Sequence, residues 1–211
     1  MAYGYLGQNT PNQTVNNSGV FSITDSANLQ SQGKLGGSLE LIEEQTISTD
    51  TTIDFTSIKE NVYDVHYLTY ENMSMTSPSG NQIPYYRLSN DNGSTFESTN
   101  YQSTAQFNTA NGLATKLTTR TTYGHLCGNQ QSNFKWSGYA YFYNLGNSSK
   151  YSFSTIHSVG FYSADSSQSM TFGGSVYTVA ETINAIRLSV DTTTLSGGTA
   201  KLYGVKQIWV T

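Results

Sequence analysis

Charge is scarce in this chain of 211 residues. Asp, Glu, Lys and Arg make up 11% of it, less than half of the roughly 25% usual in globular proteins. The ten Lys and Arg residues are scattered, and the net charge is -4. No basic stripe exists to displace counterions from phosphates, which excludes nucleic acid as a partner. Cysteine is nearly absent. Cys127 is the single one, so the chain has neither an internal disulfide nor a thiolate metal cage. Long apolar runs are missing too, and nothing approaches the roughly 20 residues of a membrane-spanning helix. The opening MAYGYLGQNT has neither a basic start nor an apolar segment. It therefore predicts a protein made in the cytoplasm that does not leave by the general secretory route.

Ser, Thr, Asn, Gln, Gly and 16 Tyr fill the space. Residues 1–36 read as an extended arm, polar apart from the short run around Val20, Phe21 and Ile23. One such strand makes no core, but it can add to the edge of a neighbour's sheet. The arm is therefore assigned to anchoring and residues 37–211 to a single β domain. From Ser38 onward strand follows strand, with Tyr, Val, Ile, Phe and Thr in period-two alternation. The clearest are NVYDVHYLTYENM, NFKWSGYAYFYNL and INAIRLSVD. Turn signals separate them, including Ser79-Gly80, Asn92-Gly93, Asn111-Gly112, Gly173-Gly174 and Gly197-Gly198. LATKLTTRT, 113–121, reads as a short helix. The expectation is an all-β fold, an antiparallel β-sandwich of the jelly-roll type, with an extended N-terminal arm.

The stretch SNDNGSTF, 89–96, carries most local information. It resembles the Asp-box, the blade-turn signature of sialidase-type β-propellers. Propellers need at least four similar blades. Here the motif occurs once, and Arg87, Arg120 and Arg187 lie far apart in sequence. The residues read as a structural turn instead. Asp91 accepts backbone N–H groups, Gly93 supplies a positive φ, Ser89 and Thr95 pair across a hairpin neck, and Phe96 points into the core. Asn90, Asp91 and Asn92 also offer oxygens to Ca²⁺, but capping is the simpler role and no metal or cofactor is expected.

Catalytic constellations are thin. His66 and His157 sit within strand patterns as ordinary sheet residues. His125 and Cys127 share a Gly-flanked loop with no orienting acid. Glu43 and Glu44 are adjacent, so a strand points them to opposite faces. No catalytic residue is assigned. Aromatics are the other resource. Tyr85 and Tyr86 precede the Asp-box. Trp136, Tyr139, Tyr141 and Tyr143 line one strand, the three tyrosines on one face and Ala140 with Phe142 on the other. Such a ladder can stack on sugar rings, enter a subunit interface, or fill a core short of Leu and Ile.

Several motifs in order resemble a further family. YDVHYLTYENM, YYRLSNDNGSTF with NYQSTAQF, WSGYAYFYNL and INAIRLSVDTTTLSGGTAKLYGV are similar to a jelly-roll domain of bacteriophage virion proteins. Ile186, Arg187, Leu188, Gly198, Leu202, Tyr203 and Gly204 match its usual ending. The resemblance implies a non-enzymatic virion structural protein of tail-fibre, receptor-binding or decoration type. It implies homo-oligomers, other virion proteins as partners through the arm, and a host surface glycan as a candidate ligand. A purely architectural decoration or adaptor protein is the alternative, and a glycan-degrading enzyme a more distant one.

Overall fold

The computed structural model describes residue 24 and residues 38–76, 82–117, 121–130, 134–162 and 167–206. The chain divides into two compact units, Met1–Glu40 and Leu41–Thr211. Val20, Phe21 and Ile23 of the expected anchoring arm lie outside the described residues, as do Ser79-Gly80 and residues 207–211.

Among the described residues from 38 to 206 the elements are all strands. They are β1 (Leu39–Ile47), β2 (Thr52–Phe55), β3 (Val65–Met75), β4 (Pro84–Ser89), β5 (Tyr101–Thr109), β6 (Ala114–Leu117), β7 (Gly124–His125), β8 (Trp136–Tyr143), β9 (Ser152–Tyr162), β10 (Ser167–Tyr177), β11 (Ala185–Val190) and β12 (Leu195–Val205). An eight-stranded sheet runs β1-β12-β3-β8-β9-β10-β5-β6, and a four-stranded sheet runs β2-β11-β4-β7.

That order is a jelly roll with an extension. If β5, β6, β9 and β10 are set aside, eight strands remain. Their first, eighth, third and sixth members form one sheet, and the second, seventh, fourth and fifth form the other. This alternation between layers is the double Greek key of a jelly roll. The β9–β10 hairpin pairs over eleven residues. Together with β5 and β6 it widens the first sheet well beyond the second.

The core lies between the sheets. Phe55, Ile53, Ile186, Leu188, Tyr86 and Leu88 come from the small sheet. They meet Leu68, Tyr70, Phe142, Ala140, Leu202 and Tyr101 from the large one. Burial of each large side chain contributes about 1.5–3 kcal/mol. With so few Leu and Ile to spend, the chain fills its core with tyrosines, and their hydroxyls must find partners. Three bridge the layers: Tyr86 Oη meets Ser154 Oγ at 2.7 Å, Tyr70 Oη donates to the Leu126 carbonyl at 2.8 Å, and Tyr101 Oη accepts from Leu88 N at 2.7 Å.

Several expectations change. Residues 114–117 form an edge strand, not a helix, because Leu117 registers against Ala105 and closes the end of the core. Gly173-Gly174 lies inside β10, where a Cβ at Gly173 would sit 2.3 Å from the Thr104 carbonyl. The neighbouring strand comes too close for a side chain, so these glycines mark close backbone approach and not a turn. Gly197-Gly198 forms a bulge in β12, with Gly198 at φ +119.

Candidate functional site

Ser89–Phe96 is not a hairpin turn. β4 belongs to the small sheet and β5 to the large one, so residues 90–100 carry the chain from one layer to the other. The clasp is built around one carboxylate. Asp91 Oδ1 accepts from Ser89 Oγ at 2.7 Å and from Thr95 N at 2.9 Å, while Oδ2 accepts from Thr95 Oγ1 at 2.6 Å. Ser89 and Thr95 thus meet through Asp91 and not with each other. Ser89 Oγ also accepts from Gly93 N at 3.0 Å, and Gly93 takes φ +82, which glycine adopts without strain. Phe96 does not enter the core. Its half-buried ring lies under the Arg187 guanidinium, 3.9 Å from the centroid. The clasp also docks on the segment before β11: Asn92 N donates to Asn184 Oδ1 at 2.8 Å, and Asn90 Nδ2 donates to Glu181 Oε2 at 2.8 Å.

Hydrogen bonds from the Thr95 side chain, the Thr95 amide and the Ser89 hydroxyl pull the Asp91 carboxyl down to about 2. A lowered folded-state value means that its contribution is complete above the ordinary carboxyl range. That contribution is lost as pH falls toward 2. Asp91→Asn is therefore expected to melt below the wild type at neutral pH, with the gap closing between about pH 4 and pH 2. Calorimetric melting across that range checks this; a gap that stays constant with pH would count against it.

The tyrosine ladder lies on the outer face of the large sheet. Register sets Tyr203 beside Tyr67 and Tyr67 beside Tyr141, with ring centroids 6.0 and 4.6 Å apart. Tyr139 adds a ring 5.8 Å from Tyr67, and Tyr143 lies nearly parallel to Tyr141 at 6.4 Å. Beyond the ladder the same face carries Phe153, Val159 and Phe161 from β9 and Phe172 from β10, each at least 43% exposed. A shallow cavity of about 310 Å³ opens among Tyr67, Glu71, Ser137, Tyr139 and His157. It sits where β3 bulges and where Gly138, with no Cβ, lets the His157 carbonyl and the Tyr70 hydroxyl come close to β8.

Three members of the expected aromatic set are elsewhere. Trp136 shares the inward face of β8 with Ala140 and Phe142, and Tyr86 is fully buried with its ring edge-on to Phe142. Both are core residues, because their parity in the strand is that of the inner face. Tyr85 lies on the outer face of the small sheet, stacked on Tyr123 at 4.4 Å. Tyr67, Tyr203, Phe153, Phe161 and Phe172 were missing from the expected set. Period-two alternation in YSFSTIHSVGFYS places Phe153, His157 and Phe161 on one face, but sequence does not say which face is outside.

The remaining polar candidates have structural partners. His66 is buried with Nε2 2.8 Å from the Ile58 carbonyl, and burial lowers its pKa, so the ring is neutral at pH 7. His125 Nδ1 lies 2.6 Å from Ser103 Oγ, and Ser103 in turn accepts from Ser175 at 2.6 Å. Burial pushes the Cys127 thiol up to about 11, so it is protonated at neutral pH. Glu44 pairs with Lys201 at 3.4 Å, while Glu43 accepts from Gln45 at 2.7 Å. Among the described residues no three His, Cys, Asp or Glu side chains gather as a metal site.

The structure also joins residues that sequence sets a hundred positions apart. Arg87 and Arg187 are direct register partners on β4 and β11. Arg187 is held by Asp54 on its other side, Nε to Oδ1 and Nη2 to Oδ2, both at 2.6 Å. No family model, no curated protein and no solved structure matches this chain.

Proposed function

We propose that the protein is a non-enzymatic structural component of a bacteriophage particle, a homo-oligomer that buries the aromatic outer face of its large sheet against further copies of itself. The exposed face formed by Tyr139, Phe153, Val159, Phe161 and Phe172 carries the oligomer reading. Its centre is uncharged, and the charged side chains Glu71, Lys201 and Lys116 lie toward its margins. Protein interfaces have this anatomy, an aromatic centre depleted of charge within a polar rim. Five strands from β3 to β5 span about 20 Å, and an eleven-residue strand about 35 Å, giving roughly 700 Å². A standard interface takes about 800 Å² from each partner. The order of motifs similar to phage jelly rolls supports the virion assignment, and anchoring by residues 1–36 belongs to the same proposal.

Light scattering on the purified full chain tests the oligomer. Phe161→Ser combined with Phe172→Ser is expected to raise the dissociation constant at least tenfold, since buried aromatic anchors dominate interface energies. A monomeric wild type, or a mass unchanged in the variant, would overturn this reading. Immunogold labelling of intact particles tests the location, and unlabelled particles would remove the virion assignment. Particles that still take up a chain lacking residues 1–36 would remove the anchoring role.

A further inference from the structure

We propose that the outer face of the small sheet carries a binding pocket for an acidic saccharide, a sugar bearing a carboxylate, with Arg87 meeting the carboxylate. A cavity of about 450 Å³ opens there, lined by Tyr85, Arg87, Arg187, Ser189, Asp191 and Thr192 among others. Ligand sites run from about 300 to 1,000 Å³.

The charges at this pocket are unevenly matched. Two guanidinium groups sit on directly paired residues, an arrangement that costs stability when nothing compensates it. Asp54 compensates one of them. Its two bonds hold Nε and Nη2 of Arg187, and the guanidinium lies over the Phe96 ring. Arg87 has no carboxylate partner among the described residues. Its Nε donates to the Thr122 carbonyl at 3.1 Å, and its Cζ lies 5.3 Å from the Tyr85 ring centroid. These contacts orient the planar fork, and among the described residues neither terminal nitrogen has a hydrogen-bond partner. A carboxylate matches that fork with two parallel hydrogen bonds.

The walls argue for a saccharide in place of a bare anion. Tyr85 is 8% exposed, in a buried cluster with Ile83 and Tyr123 and with its ring plane 19° from that of Tyr123, so the part of it that reaches the pocket is fixed before any ligand arrives and little ordering is left to offset. Ser189, Thr192 and Thr193 line the pocket with hydroxyls that already donate to the Thr51 carbonyl, Gln82 Oε1 and the Thr76 carbonyl, so they are held in place and offer acceptor oxygens to the hydroxyls of a sugar. The pocket is on the sheet opposite the proposed assembly face and goes beyond that reading, so the two fail separately.

Calorimetric titration of the full chain tests the pocket. The probes are uronic-acid oligosaccharides, neutral oligosaccharides of matched length, and sulfated ones. Uronates are expected to bind at least tenfold more tightly than the neutral series. Arg87→Gln is expected to weaken uronate binding about ten- to a hundredfold, as loss of a charged hydrogen-bonding partner does. Arg87→Lys, which keeps the charge without the fork, falls between. Tyr139→Ala on the opposite sheet leaves the affinity unchanged. Melting temperatures of the arginine variants near that of the wild type show that the pocket and not the fold was altered. Equal affinity for neutral and acidic sugars overturns the proposal, as does binding of the sulfated series alone. Absence of uronate binding at millimolar concentration, or loss of binding in Tyr139→Ala but not in Arg87→Gln, overturns it as well.

Discussion

Raising the pH above 10 is expected to strip stability from this fold steeply, by about 4 kcal/mol for each pH unit. The cause is the tyrosine core. Burial pushes the Tyr86 hydroxyl up to about 12 and raises those of Tyr70 and Tyr101 well above the ordinary tyrosine range. In the unfolded chain the same groups ionise near the ordinary value of 10.0. Between these limits the folded state holds protons that the unfolded state has released. Stability is therefore fully present below about pH 10 and falls as pH rises. Each such tyrosine contributes about 1.4 kcal/mol per unit, and three contribute about 4. Domains of this kind have about 5–15 kcal/mol in total, so unfolding should be complete within a few units. Urea denaturation at stepped pH, with phenolate absorbance followed in parallel, measures both halves of the linkage. Tyr86→Phe should be less stable at neutral pH, by about 1 kcal/mol for its lost hydrogen bond, yet show a slope shallower by roughly a third. Stability that stays level up to pH 12, or a Tyr86 phenolate signal (wild type minus Tyr86→Phe) that appears before unfolding, would refute this account.

The use of tyrosine as core also explains what sequence could and could not reveal. Strand existence was legible because alternation is a backbone property. The jelly-roll class followed from many short strands with turn signals between them. Which strands exchange partners was not legible. β5, β6, β9 and β10 read like any other strands, and only the register shows that they extend one sheet of an eight-stranded kernel. Gly173-Gly174 misled for a related reason. A glycine pair marks a turn or a close approach with equal force, and the choice depends on whether a neighbouring strand lies 2.3 Å from the missing Cβ.

The site was legible in fragments. Asp91 and Gly93 shape the connection because their roles are local. Phe96 was misplaced because its partner, Arg187, is 91 positions away. Tyr139, Tyr141 and Tyr143 share a face, as parity requires. Trp136 and Tyr86 face inward, yet composition alone cannot tell an inward aromatic from an outward one. The Arg87–Arg187 pair is a product of strand register and leaves no trace in linear spacing.

Register also accounts for the terminal motif LYG, Leu202 to Gly204, and gives it a sharp test. Leu202 is buried opposite Leu68, Tyr203 joins the ladder beside Tyr67, and Gly204 carries the Tyr63 ring against its backbone. A Cβ at Gly204 would sit 2.3 Å from that ring. Tyr63 is buried, and its ring lies edge-on to His66 at 6.1 Å, so it has little room to retreat. Gly204→Ala is therefore expected to destabilise the protein by about 1–3 kcal/mol, the usual cost of overpacking, and Gly204→Val by more. Tyr63→Ala alone should cost about 3–5 kcal/mol, as loss of a buried aromatic does. The double variant should cost less than the sum of the two, because the added methyl then enters the space that the ring vacated. A coupling of about 1–3 kcal/mol in the compensating direction is expected from the cycle of four denaturation curves. If the two effects simply add, the glycine is not required by the Tyr63 ring, and the close approach has no share in stability.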